Sequence, residues 1–88
     1  MEKSFVLNGV LAGGAKGALE DLGIIFERVR NGNSQGRFPD GTGLATFSKF
    51  PIDDGLCYEL RIQGNGDFFR VVCEAADKIV NWQENVGE

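Results

Sequence analysis

Any catalytic or metal site in this chain would have to be built without histidine, because none of its 88 residues is one. That removes the commonest general base, the Ser-His and Cys-His nucleophile pairs and the commonest zinc ligand. Cys57 and Cys73 are the two cysteines, too few thiols for a zinc site without histidine. The carboxylate pairs Glu20/Asp21 and Asp53/Asp54 read as a helix surface and a turn. The residues therefore point to a chain that is not an enzyme and that uses neither a cofactor nor a metal.

Glycine spacing offers three comparisons. Gly9 and Gly14 stand as far apart as the glycines of a phosphate-binding loop, G-x-x-x-x-G-K-[ST]. Ala15 displaces Lys16 from the position such a loop needs, and no hydroxyl follows it. Gly9, Gly13 and Gly17 also repeat every fourth residue, a spacing that lets two helices approach closely and that marks a homodimer contact as an expectation. Asn31, Asn33, Gln35 and Gly36 follow the order of a calcium loop. Neutral amides stand where carboxylates are needed, however, and Thr42 stands where a bidentate Glu belongs.

The elements that must position any site follow from composition and periodicity. Length and an apolar content of 42% suit a single domain spanning 1–88. Net charge is −4, divided as +1 over residues 1–50 and −5 over 51–88, which argues against a nucleic-acid surface in the second half. There is no secretory pattern at the N-terminus and no apolar run long enough to span a membrane, and free thiols suit a reducing compartment. The expectation is a cytoplasmic protein with no membrane partner.

Ala15, Ala18, Leu19, Leu22, Ile25, Phe26 and Val29 recur at helical spacing and predict a helix over 15–30, stopped by Asn31-Gly32. Residues 4–14 read as a separate N-terminal segment, either an edge strand at Phe5-Val6-Leu7 or a backward extension of the helix. Residues 31–43 carry turn chemistry throughout and read as one long irregular loop. Leu44–Ile52 then alternates as a strand. Asp53-Asp54-Gly55 suits a three-residue hairpin that sets Phe50 opposite Tyr58 and Ser48 opposite Leu60 on the core face, with Lys49 opposite Glu59 and Phe47 opposite Arg61 on the other.

Asn65-Gly66 is the strongest short-range turn signal in the chain. Read as a hairpin, it joins strands 56–63 and 67–73, with Ile62 facing Phe69, Leu60 facing Val71 and Arg61 facing Arg70. A helix over 74–85 closes the chain, with Ala75, Ala76, Ile79, Val80 and Trp82 inward. The competing reading makes 68–83 one helix capped by Asp67. The turn signal favours strand then helix, giving an α+β fold of helix, three-stranded antiparallel meander and helix.

That register leaves an open sheet face carrying Phe47, Lys49, Glu59, Arg61, Phe68 and Arg70. Exposed Phe with Arg is a composition enriched where proteins bind one another. Asp77 and Glu84 add an acidic C-terminal contact, and Arg28, Arg30 and Arg37 form a second patch around the long loop. The helix–three strands–helix order resembles a double-stranded-RNA-binding domain. That resemblance implies a basic cluster opening the last helix, where this chain has Glu74, Ala75, Ala76 and Asp77. In size, acidity and lack of catalytic residues the chain also resembles small phage-encoded inhibitors such as anti-CRISPR proteins, which implies a protein partner.

The leading expectation is a protein-binding module, an inhibitor or adaptor. Its first rival is a nucleic-acid binder stacking bases on Phe47 and Phe68. Its second is a small-molecule or enzymatic site near Gly9–Gly17.

Overall fold

A computed structural model describes residues 1–30, 33–52 and 55–86, and the side chains of 1–30, 33–49 and 57–81. Its elements run β1 (Glu2–Leu7), α1 (Gly9–Asp21), β2 (Ile25–Arg28), β3 (Ser34–Arg37), β4 (Gly43–Ile52), β5 (Gly55–Gly64) and α2 (Gly66–Val86). The strands form one five-stranded antiparallel sheet in the order β1-β5-β4-β3-β2. This replaces the three-stranded meander expected from the sequence. Because β1 and β2 are opposite edges, α1 carries the chain across the face of the sheet. α2 packs beside it on that face, and both helices touch β5.

α1 begins earlier than its apolar periodicity suggests. The side chain of Asn8 caps it, accepting from the Leu11 N–H at 2.8 Å. Of its glycines, Gly14 faces α2, where a Cβ would make ordinary contact with Ile79 Cγ2 at 3.6 Å. Its end is a Schellman motif, with the Ile24 N–H donating to the Leu19 carbonyl and the Gly23 N–H to the Glu20 carbonyl. Gly23 holds φ at 95°, a left-handed value that glycine adopts without strain. Leu19 and Ile24 are both fully buried across this turn. The helix expected over 15–30 therefore stops at Asp21, and Ile25, Phe26 and Val29 belong to β2 and the residues just after it.

Two further expectations change. The 31–43 loop gives way to β3, which pairs Gln35 with Glu27 and Arg37 with Ile25; Asn31 and Gly32 lie outside the described residues. The strand expected over 67–73 is the first part of α2, so the one-helix reading holds. Gly66 at φ 81° turns the chain out of β5, and Asp67 places a carboxylate in the first turn, where the helix dipole favours it. The Asn65-Gly66 signal thus marks a strand-to-helix junction.

The β4–β5 register is one residue off the expected one. Its pairs run from Gly43↔Gly64 to Ile52↔Gly55, leaving two residues between the strands, and Asp53 and Asp54 lie outside the described residues. Phe47 now faces Leu60 and Lys49 faces Tyr58. The core on the helix-covered face joins Leu7, Ala45, Phe47, Leu60 and Ile62 from the sheet to Ala12, Ala15, Leu19, Val72, Cys73 and Ala76 from the helices. The Phe38 ring lies over the Gly43–Gly64 pair and packs on Phe68 at 5.0 Å between centroids. A Cβ on either glycine would run into that ring.

The glycines therefore divide into two kinds. A Cβ on Gly13 or Gly17 meets nothing within 4 Å, so Gly13→Ala and Gly17→Ala are each expected to stabilise the protein by about 0.5–1 kcal/mol. Gly43→Ala and Gly64→Ala are expected to cost about 1–3 kcal/mol or more. Gly43→Ala drives a Cβ into the Gln63 carbonyl of the paired strand as well as the Phe38 ring, and Gly64→Ala overpacks against Phe38. Urea unfolding of the four variants checks both signs.

Candidate functional site

The two faces of the sheet differ sharply. On the helix-covered face the register aligns Phe26–Gly36–Ala45–Ile62–Lys3 and Arg28–Ser34–Phe47–Leu60–Phe5. On the uncovered face it aligns Ile25–Arg37–Leu44–Gln63–Glu2 and Glu27–Gln35–Thr46–Arg61–Ser4. Alternation along each strand dictates this sorting.

Of the six residues expected to share an open sheet face, the structure keeps Arg61 and Glu59 there. Phe47 turns the other way, 6% exposed, and meets Phe26 edge-on at 5.3 Å. Lys49 is exposed on the helix side of the sheet. Phe68 and Arg70 are on α2, Phe68 half-buried against Phe38 and Arg70 exposed. The Arg61–Arg70 opposition therefore does not arise. Asp77 sits on α2 and binds Lys3 at 2.9 Å, which ties α2 to the β1 edge. Glu84 is on α2 but its side chain lies outside those described. Gly9, Gly13 and Gly17 are exposed along α1, while Gly14 faces α2.

Charge on the uncovered face is arranged in two zones. Towards β1, Arg61 Nη2 meets Glu59 at 3.2 Å and its Nε meets Glu2 at 3.8 Å, and Gln63 donates to Glu2 at 2.8 Å. Pairs this exposed add little to stability, but they leave Arg61 with its charge already matched. Towards β2 the zone changes character. Ile25, Glu27, Val29, Gln35, Arg37 and Pro39 line a groove of about 390 Å³. Ile25 is 79% exposed there, and neither Arg37 nor Glu27 has an ion-pair partner among the described residues.

The sequence reading missed the apolar part of this groove because Ile25 and Val29 fit a helical stripe. A signal was nonetheless present: Leu22-Gly23-Ile24 is the C-terminal stop of a helix with its apolar contact.

Cys73 is not an activated thiol. Burial pushes the Cys73 thiol above its usual range, Lys3 draws it part of the way back, and Asp77 adds a further upward push. At neutral pH it is therefore a protonated, unreactive thiol. Cys57 is half-buried, and both cysteines are free. Among the described residues no group of three His, Cys, Asp or Glu side chains gathers to hold a metal. No helix among them is long and apolar enough to cross a membrane.

The fold and its sites define a small α+β domain whose five-stranded sheet carries both helices on one face. Compared with family models, with curated proteins and with solved structures, the chain matches none.

The turn leading into β4 carries a titratable reporter. Asp40 accepts from the Thr42 hydroxyl at 2.7 Å and from the Thr42 N–H at 3.0 Å. The hydroxyl bond is the larger cause holding its carboxyl below 3.8, and the backbone bond is the next. A depressed carboxyl contributes stability above its unfolded value and loses it as pH falls through the folded one. The Thr42 amide resonance is therefore expected to titrate with a midpoint below that of an ordinary aspartate. Thr42→Val is expected to move that midpoint upward, both read by NMR from pH 6 down.

Proposed function

We propose that this chain is a non-enzymatic protein-binding module, an adaptor or inhibitor that meets its partner with the uncovered face of its sheet. The observation that carries the reading is the groove between β2 and β3. A four-fifths exposed Ile25, Val29 and Pro39 lie in it beside Arg37, which has no ion-pair partner among the described residues. Exposed apolar side chains interleaved with Glu27, Gln35 and an arginine have a composition met where proteins bind one another. The expected contact residues thereby move from Phe47 and Phe68 to Ile25, Val29, Gln35 and Arg37, with Arg61 and Glu59 at the far side of the same face. Free thiols at Cys57 and Cys73 favour an intracellular setting.

The rival nucleic-acid reading loses its stacking platform. Phe47 is buried and Phe68 packs on Phe38, so neither ring offers a free face of the kind base stacking uses.

Tagged wild-type protein, Ile25→Asp/Arg37→Glu and Arg70→Glu are to be used as bait in extracts of the source cells. Exposed substitutions of this kind change stability by no more than about 0.5 kcal/mol each, and circular dichroism verifies folding. A protein captured by the wild type and by Arg70→Glu but lost by the groove variant is the expected result. Capture of the same proteins by all three places the interface elsewhere. Tight, salt-sensitive shifts of nucleic-acid probes would overturn the reading.

A further inference from the structure

On the opposite face of the sheet, a second concavity of about 220 Å³ opens between α1 and the strands, lined by Gly9, Gly13, Lys16, Ser34 and Tyr58. Three features of this cleft converge. Gly13 lines it without a side chain, and an added Cβ there would enter open space with nothing within 4 Å. Its polar groups are a lysine and two hydroxyls, and among the described residues none of Lys16 Nζ, Ser34 Oγ or Tyr58 Oη is hydrogen-bonded. Lys16 Nζ is held 5.8 Å from the centre of the Phe26 ring, which keeps the ammonium over the sheet instead of out in solvent.

The rim adds charge of the same sign. Arg28 stands directly opposite Ser34, and Lys49 directly opposite Tyr58, each on the same face as its neighbour. Opposed Cβ atoms in such pairs are about 4.5–5.5 Å apart, so both cations rise beside the cleft. Neither they nor Lys16 pairs with a carboxylate among the described residues. The strand carboxylates nearest in sequence, Glu27 and Glu59, are turned to the other face by the register. An acidic chain of net charge −4 thus places three cations at or beside a hollow whose lining, among the described residues, includes no carboxylate.

We propose that this cleft binds a small phosphomonoester. The phosphoryl group meets Lys16, Ser34 and the flanking Arg28 and Lys49, while a short organic body rests against Tyr58 and the Gly9–Gly13 side of α1. A dianion suits a lysine in the lining with two further cations on neighbouring strand positions, and hydroxyl and ammonium donors both serve phosphate oxygens. The size argues for a small ligand, since pockets for drug-sized molecules run to about 300–1,000 Å³. This site is independent of the partner-binding groove on the other face.

The test is a ¹⁵N NMR titration of the full chain with glycerol phosphate, with inorganic phosphate, with sodium chloride at matched ionic strength and with a single-stranded DNA oligonucleotide. Saturable shifts at the amides of Gly13, Lys16, Ser34 and Tyr58, at ligand concentrations below about 10 mM, are expected with both phosphates. Tighter binding of glycerol phosphate than of inorganic phosphate is expected, and equal or tighter binding of inorganic phosphate would overturn the monoester as the ligand. Lys16→Ala is expected to weaken binding about tenfold or more, the worth of a charge-assisted hydrogen bond.

Gly13→Leu is expected to abolish binding by filling the cleft. It should retain or raise the thermal midpoint, because leucine is the better helix former, so loss of binding cannot be loss of fold. Equal shifts with chloride, no saturable shift at these amides, or unaltered affinity in Gly13→Leu would each overturn the proposal. Stronger binding of the oligonucleotide than of either phosphate would do so too.

Discussion

The pairing of β4 with β5 fixes what each face of this protein presents. Leu60 and Ile62 of β5 are fully buried beneath the helices, and the register sets Phe47 and Ala45 beside them. A slip of one residue would turn every side chain of β4 over. Phe47 would enter water, at a cost of about 1.5–3 kcal/mol. Ser48 would take its place, burying a hydroxyl with no partner at a further cost of about 1–3 kcal/mol. Together these approach the whole stability of a small domain, which is about 5–15 kcal/mol. The register is therefore locked by burial, and so is the allotment of Arg61, Glu59 and Thr46 to the uncovered face.

A second contact carries that register into the helical layer. Phe38, 2% exposed, lies at the turn before β4, held by its N–H to the Gly43 carbonyl. Its ring occupies the space above Gly43 and Gly64 that two missing side chains leave open, then meets Phe68 of α2. The Asn65 N–H donates to the Thr42 carbonyl across the same junction. One aromatic ring thus ties the start of β4, the end of β5 and the first turn of α2 together. At the other end of the helical layer, Lys3 and Asp77 join α2 to the β1 edge through a pair that is about half exposed on both sides. Such an ion pair orients more than it stabilises.

The sequence was legible where burial on one face produced a pattern and illegible where two patterns coincided. Strands β4 and β5 were placed within a residue or two at each end, because their alternation is strong. Residues 25–29 satisfy a helical stripe, and the stripe outweighed Gly23, the residue whose left-handed φ stops the helix. Residues 67–73 satisfy both a strand and a helix, and an Asn-Gly pair tipped the choice wrongly. Its glycine does adopt positive φ, as a hairpin would need, but the chain spends it on a helix start. The β4–β5 turn was read one residue too long, and that single residue moved Phe47 from the core to the surface. Arg61 and Glu59 kept their face because it depends only on alternation within β5 relative to Leu60.

The distribution of cations separates the two ends of the sheet. Lys3 and Arg61, both near β1, are matched by Asp77, Glu59 and Glu2. Lys16, Arg28 and Arg37 cluster around β2 and β3, and among the described residues none of them has a partner within 4 Å. An unmatched cation adds nothing to a small fold and, near others of its sign, costs a little. Register divides these three between the faces, with Arg37 in the uncovered groove and Lys16 and Arg28 around the cleft under α1. Both hollows are bounded by the β2–β3 hairpin, which lies at the sheet edge away from α2. Changes in that hairpin would therefore reshape the groove and the cleft while the Leu60–Phe47 core and the Phe38 contact hold the rest of the domain in place.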